Sequence, residues 1–267
     1  MMKTTAKKIY IILIFIFLYA PIATLMVFSF NKSRTRAKWG GFTFQWYLSL
    51  LGNREIMNAL WNTLFIALVS SLSAVVIGTV ACIAINNMTK RKRTVIMGIT
   101  NIPMLNADIV TGISLMLLFI SFGFRFGFGT ILLSHITFNI PYVILSVMPR
   151  MKQLNPSIYE AALDLGASPV SAFRRVVFPD LLPGILSGFL MAFTMSLDDY
   201  IITHFTKGAG ADTLSTKIYT EVRKGIKPEM YALSTIIFLA GLVLLLLVNA
   251  APDKQDARAD KKQAARF

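Results

Sequence analysis

Long apolar runs separated by short polar or basic stretches set the pattern of this chain. The runs cover residues 9–30, about 60–85, about 95–122, about 130–147, about 184–205 and 231–249. Each is at least as long as the roughly 17 residues that an α-helix needs to cross a bilayer. The pattern therefore predicts an all-α polytopic membrane protein with six transmembrane helices. Pro21, inside the first run, reads as a tolerated kink. Lys3, Lys7 and Lys8 would suit a signal peptide, but the run behind them is too long for an h-region and Phe28-Ser29-Phe30 makes a poor cleavage site. Between the first two runs, Trp39, Gly40, Gly41, Phe42, Trp46 and Tyr47 mark an interfacial segment. The predicted division is a short N-terminal segment 1–8, a transmembrane domain 9–250, and a charged, disordered tail 251–267.

Between the fourth and fifth runs the period changes to that of short amphipathic helices. Asn155 is placed to cap the first, with Pro156 at its first helical position, where the missing N–H costs nothing. Ile158, Ala161, Ala162 and Leu165 recur on one face, and Gly166 supplies a permissive stop. Ser168 and Pro169 repeat the start signal, Val170, Phe173 and Val177 form a second stripe, and Pro179 is read as its end. A helix–glycine–helix elbow of this kind, held at a membrane surface, has the shape of something another protein grips.

Composition agrees with the pattern. Of 267 residues, 55% are hydrophobic and only 15% are charged, too apolar for a soluble globular domain. The net charge of +14 would suit nucleic acid, yet Lys and Arg sit in the connections, above all in Lys90–Arg93, where headgroups and cytoplasmic partners meet them; no nucleic-acid partner is expected. A modest excess of Lys and Arg on the side of the N-terminus, Lys90–Arg93, the elbow and the tail weakly favours that side as cytoplasmic. Cys82 lies inside an apolar run, and neither a disulfide framework nor a Cys-based metal site is expected. His135 and His204 lack ligand-spaced partners and read as packing or hydrogen-bonding residues. The 13 methionines read as gap-filling.

The candidate chemistry lies in acids at membrane depth. Asp108, Asp198 and Asp199 fall inside predicted spans without a Lys or Arg beside them. A charge there costs about 2.5–3.5 kcal/mol on insertion scales, so each should face a cavity or a partner. Counting about 1.5 Å per residue along spans three and five puts Asp108 and Asp198 roughly 20 Å in, at one level. That is the pattern of a cation site. Asn101, Pro103, Asn106 and Thr111-Gly112 interrupt span three, as broken helices do along a pathway; Thr194 and Ser196 add hydroxyls near Asp198. Neighbouring helical positions diverge by about 100°, so Asp198 and Asp199 would serve two separated amines, or one of them would face a neighbouring subunit. Trp46 and Tyr47 either add cation–π contacts or belong to an aromatic belt. Two other classes remain open: an intramembrane aspartyl hydrolase, which needs two close acids on facing helices, and a proton-coupled secondary transporter.

Glu160, Ala161, Ala162, Gly166, Val176, Phe178 and Pro179 resemble the EAA loop of ABC-importer permeases, E-A-A-x3-G-x9-I-x-L-P, with Val176 and Phe178 as mild departures. Ser134-His135-Ile136-Thr137-Phe138, Ser196-Leu197-Asp198-Asp199, Leu214–Tyr219 and Pro228–Leu233 are similar to the C-type permease subunit of spermidine/putrescine importers, over about Tyr10 to Leu247. The resemblance implies the type I ABC-importer permease arrangement, in a bacterial plasma membrane with both termini cytoplasmic. It implies that 155–183 is a coupling loop, with Tyr159, Glu160, Ala161, Ala162, Gly166, Ala167 and Pro179 meeting an ATPase. It further implies a heterodimer with a B-type permease, a homodimeric cytoplasmic ATPase that uses ATP and Mg, and a polyamine-binding protein outside; this chain itself would bind no cofactor and have no catalytic site. Substrate-contacting residues would be drawn from Asp108, Ser196, Asp198, Asp199, Trp46 and Tyr47. Within that family iron or sulfate is the alternative cargo, and the acids argue against an anion.

Overall fold

The computed structural model describes residues 4–33, 38–225 and 227–250; the expected tail, 251–267, lies outside them. In chain order the helices are α1 (Thr4–Ser29), α2 (Gln45–Gly52), α3 (Arg54–Asn86), α4 (Lys90–Leu105), α5 (Asp108–Ser121), α6 (Phe128–Gln153), α7 (Pro156–Asp164), α8 (Pro169–Ala172), α9 (Phe178–Asp198), α10 (Ile201–Thr206), α11 (Leu214–Lys224) and α12 (Pro228–Ala250). Among the described residues the only β pairing is an isolated antiparallel bridge, Asn31 to Phe42. The chain divides into two compact units, one holding the residues through Arg54 and those from Glu221 onward, the other Glu55–Thr220.

In the first unit α12 packs against both α1 and α2. Ser49 donates to Glu229 Oε1 at 2.8 Å, and the ring of Phe28 lies 6.3 Å from that of Tyr231. The apolar side chains of α1 from Ile9 to Tyr19 are exposed, as lipid-facing positions of a spanning helix are.

The second unit is built on α3, α6 and α9. Ala74, Cys82 and Ile85 of α3 meet Val143, Ile144, Val147, Met148 and Met151 of α6 and Leu181, Ile185 and Ala192 of α9 in one core. Lipid supplies no hydrophobic drive between helices, so close backbone approach must hold them. Glycines provide it. A Cβ on Gly184 would stand 3.1 Å from the Ser146 carbonyl, one on Gly188 3.3 Å from Val143 Cα, and one on Gly78 2.8 Å from Val143 Cγ1. Gly184 and Gly188 form a small-xxx-small pair on the face of α9 that meets α6.

Among the described residues, four helices are long and apolar enough to cross a membrane: α1, α3, α6 and the continuous helix Pro169–Asp198. The third predicted run is not one rod. It divides into α4 and α5, bent by 104°, because Asn106 and Ala107 are extended and Pro103 has no N–H for the Ile99 carbonyl. The fifth run likewise ends as a long helix at Asp198 and resumes in the short α10. The sixth, α12, carries a shorter apolar stretch, Pro228–Val243.

The elbow also differs from expectation at its end. Pro179 does not terminate the second amphipathic helix. A π-helical turn, Phe173–Val177, follows α8 and leads directly into α9, with the Phe178 N–H bonding the Phe173 carbonyl. The change of ladder register falls just before the residue that cannot donate, and the helix carries on.

Replacing Gly188 with Leu is expected to force α9 off α6 and cost about 1–3 kcal/mol. The check is the melting temperature of the purified protein in detergent, which should fall by several degrees.

Candidate functional site

The elbow forms by local capping. Asn155 Oδ1 accepts from the Ser157 N–H at 3.1 Å, and Ser168 Oγ accepts from the Ser171 N–H at 3.3 Å. α7 closes with Gly166 at φ +82°. The Ala167 N–H bonds the Ala162 carbonyl at 3.1 Å and the Gly166 N–H that of Leu163 at 2.9 Å, the paired bonds of a Schellman stop. The predicted stripe does not pack inward: Ile158, Ala161 and Leu165 are exposed, as are Glu160, Val170 and Pro179, whereas Ala162 and Ala167 are half-buried. Ile158, Tyr159, Phe173 and Val177 line one side of an open pocket of about 290 Å³, whose other side is formed by Asn86 and Asn87 at the end of α3 and by Met151 and Leu154.

The acids occupy the two helix breaks. Asp108 opens α5, where a carboxylate complements the positive end of the helix, and its side chain is exposed. The straight-rod depth of about 20 Å does not apply to it, because α4 and α5 are not collinear. Asp198 is the last residue of α9 and is exposed. Asp199 is not on that helix at all. Its backbone is extended, φ −64° and ψ 123°, and its carboxylate turns inward. Oδ1 accepts from the Ile202 N–H at 3.1 Å, and Oδ2 from the Thr203 N–H and hydroxyl, both at 2.7 Å. Asp199 therefore caps α10, so the expected divergence of two adjacent helical positions does not describe this pair.

Behind Asp199 lies a buried polar cluster. His135 of α6 places Nε2 2.9 Å from Thr203 Oγ1 and 3.4 Å from Asp199 Oδ2, and Nδ1 2.5 Å from Ser196 Oγ. Ser196 Oγ is 3.2 Å from Ser70 Oγ of α3, and Asn139 Nδ2 donates to the same Ser70 hydroxyl at 3.5 Å. His135, Ser196, Ser70, Asn139 and Thr203 are all buried. The candidate residues thus divide. Ser196 and Asp199 hold helices together within the unit, while Asp108 and Asp198 present exposed carboxylates. The two breaks meet through α5 and α10: a Cβ on Gly112, one turn after Asp108, would lie 3.0 Å from Phe205 Cδ2 and 3.4 Å from Ile202 Cα.

Trp46 and Tyr47 belong to the other unit and are engaged there. The buried Trp46 donates through Nε1 to the Asn31 carbonyl at 2.8 Å. Tyr47 Oη lies 2.6 Å from Ser29 Oγ, and its ring packs with Phe30 and Phe44. The sequence marks His135 as a hydrogen-bonding residue but assigns Ser70, Asn139 and Thr203 no role. The available cue is Asn139, four residues after His135 and so on the same helix face.

A multi-pass helical protein with exposed carboxylates at broken spans, backed by buried polar packing, is the architecture of a membrane transport component. The chain belongs to the family described as binding-protein-dependent transport system inner membrane component, whose model matches residues 74–261; its members are transport components rather than enzymes. It is 37% identical over 233 residues to the spermidine/putrescine transport system permease protein PotC of Escherichia coli K12, covering 87% of this chain and 88% of that one. It is 36% identical over 263 residues to the putrescine transport system permease protein PotI of the same organism, covering 94% and 93%. Its fold is similar to a chain in the crystal structure of a bacterial ABC transporter involved in the import of the acidic polysaccharide alginate, with TM-score 0.71, 19% identity, and 92% and 93% of the two chains covered.

Replacing His135 with Leu removes one buried partner each from Ser196 and Thr203 and the group beside the Asp199 carboxylate, at an expected cost of about 1–3 kcal/mol. Thermal unfolding of the purified protein checks this. Replacing Gly166 with Val puts a β-branched residue at positive φ, costing about 1–2 kcal/mol locally. The melting temperature of the purified protein should fall by a few degrees.

Proposed function

We propose that this chain is the translocating permease subunit of an ATP-driven importer for polyamines of the spermidine/putrescine kind. The observation that carries the reading is the pair of exposed carboxylates, Asp108 and Asp198, at two helix breaks that pack on each other. Separated negative charges suit a cation whose amines are joined by methylene runs, and similarity over most of the chain to two polyamine permeases narrows the cation to that class. Trp46 and Tyr47 keep the role of shaping the first unit, and Ser196 and Asp199 that of holding the α9–α10 break.

The partners follow the same reading. A homologous B-type permease completes the pathway, and a binding protein delivers the polyamine from outside. A homodimeric ATPase, using ATP and Mg, grips the elbow from Asn155 to Pro183. Tyr159, Glu160, Ala161, Ala162, Gly166, Ala167 and Pro179 are its contact region, and the exposed Ile158, Leu165 and Val170 supply apolar surface for it. Both termini are then cytoplasmic, in the bacterial plasma membrane. Alternating access moves the cation past Asp108 and Asp198, which hold it weakly enough to let it leave.

Asp198→Asn and Asp108→Asn should each lower polyamine uptake by the complete transporter about tenfold or more, the worth of a charge-assisted hydrogen bond. Recovery of the assembled complex should be unchanged. Labelled spermidine and putrescine uptake measures it, and wild-type rates in a variant would remove that acid from the pathway.

A further inference from the structure

We infer that Tyr219 of α11 is the aromatic half of the cation site whose acidic half is Asp198, receiving an aliphatic di- or polyamine against its ring; the inference rests on the polyamine reading above. α11 is anchored at the end of α9. Ser215 Oγ donates to the carbonyl of Leu197, the residue before Asp198, at 3.2 Å. Tyr219 is four residues beyond Ser215 and therefore on the same helix face, directed toward that end. From the other side, Tyr200 stands two residues after Asp198. Its ring centroid is 4.2 Å from that of Tyr219 and 5.3 Å from that of His204.

Three rings thus pack together on the segment that follows Asp198 in the chain. Tyr200 is braced between two neighbours, and Tyr219 remains 43% exposed. The carboxylate of Asp199 is turned into the interior, whereas Asp198 is exposed and Tyr200 is half-buried. The cation of α11 that lies closest in sequence, Lys217, is ion-paired with Glu55, and among the described residues Asp198 forms no ion pair. An ammonium group drawn to Asp198 would find the Tyr219 π-face for a neighbouring amine or methylene segment. Carboxylate and ring together select a cation with an apolar spacer over a bare metal ion, which has no use for the ring's apolar area.

The test uses the complete transporter in proteoliposomes with saturating binding protein and labelled putrescine. Tyr219→Leu should cut uptake about 3- to 30-fold with normal assembly and nucleotide hydrolysis. Tyr219→Phe and Tyr219→Trp should stay within about twofold of the unaltered protein, because the ring and not the hydroxyl is used. Tyr219→Met serves as a second ringless variant should the Leu form assemble poorly. Wild-type uptake by the ringless variants, equal loss in Phe and Leu, or a loss that tracks poor assembly overturns the inference. If those results accompany a failing Asp198→Asn variant, the polyamine reading survives. Absence of polyamine uptake by the unaltered transporter overturns both.

Discussion

A helix that starts in the interior leaves its first peptide N–H groups with no water to bind, and the whole arrangement depends on how this chain meets that need at α10. Asp199 takes the first N–H groups of α10 on its own carboxylate. That places a negative group in the interior, which is tolerable only with donors around it. The Thr203 hydroxyl supplies one, and His135 stands 3.4 Å away. His135 reaches across to Ser196, and Ser196 to Ser70. The cap, the histidine and the two hydroxyls thus tie α3, α6, α9 and α10 together with polar bonds, where lipid offers no hydrophobic force to do so.

The same cluster explains why neighbouring aspartates have opposite fates. Asp199 is drawn in as a cap, the backbone leaves the helix there, and Asp198 is left as the terminal residue of α9 with its carboxylate outward. Gly112 lets α5 come close enough to α10 for the second break, with Asp108 at its edge, to share that neighbourhood. Each exposed charge sits at a helix end that must be packed, and the packing groups are themselves uncharged or internally paired.

What is legible in the sequence follows the range of the forces involved. The elbow's starts and stop are local chemistry, so Asn155, Ser168 and Gly166 can be read as caps from their immediate neighbours alone. The apolar runs locate the helices, because hydropathy is an average over a span. An average cannot see a break of two residues, so 95–122 and 184–205 read as straight rods and the depth count for Asp108 fails with them. The structural bonds of Asp199 and Ser196 are not legible because their partner, His135, lies on another helix. That of Trp46 is hidden for the same reason: the carbonyl that takes its indole N–H belongs to Asn31, outside its own helix. Pro179 misleads in the other direction, since a proline that stops an α-helix is accommodated where a π turn has already shifted the ladder.

That π turn bears on how the two ends of one helix are related. Pro169–Asp198 is continuous, with elbow residues at one end and the exposed acid at the other, about 45 Å apart along the axis at 1.5 Å per residue. Pro179 and Pro183 each lack a ladder donor, and with the π turn over Phe173–Val177 they gather the weak bonds into one stretch next to the elbow. Beyond it, Gly184 and Gly188 seat α9 on α6, and the His135–Ser196 contact fastens the far end to the same helix. Bending is therefore easiest at 173–183 and resisted from 184 onward. On the proposed reading, a partner that moves the elbow tilts α6 and α9 as one body, and Asp198 travels with them while its environment within that body stays fixed.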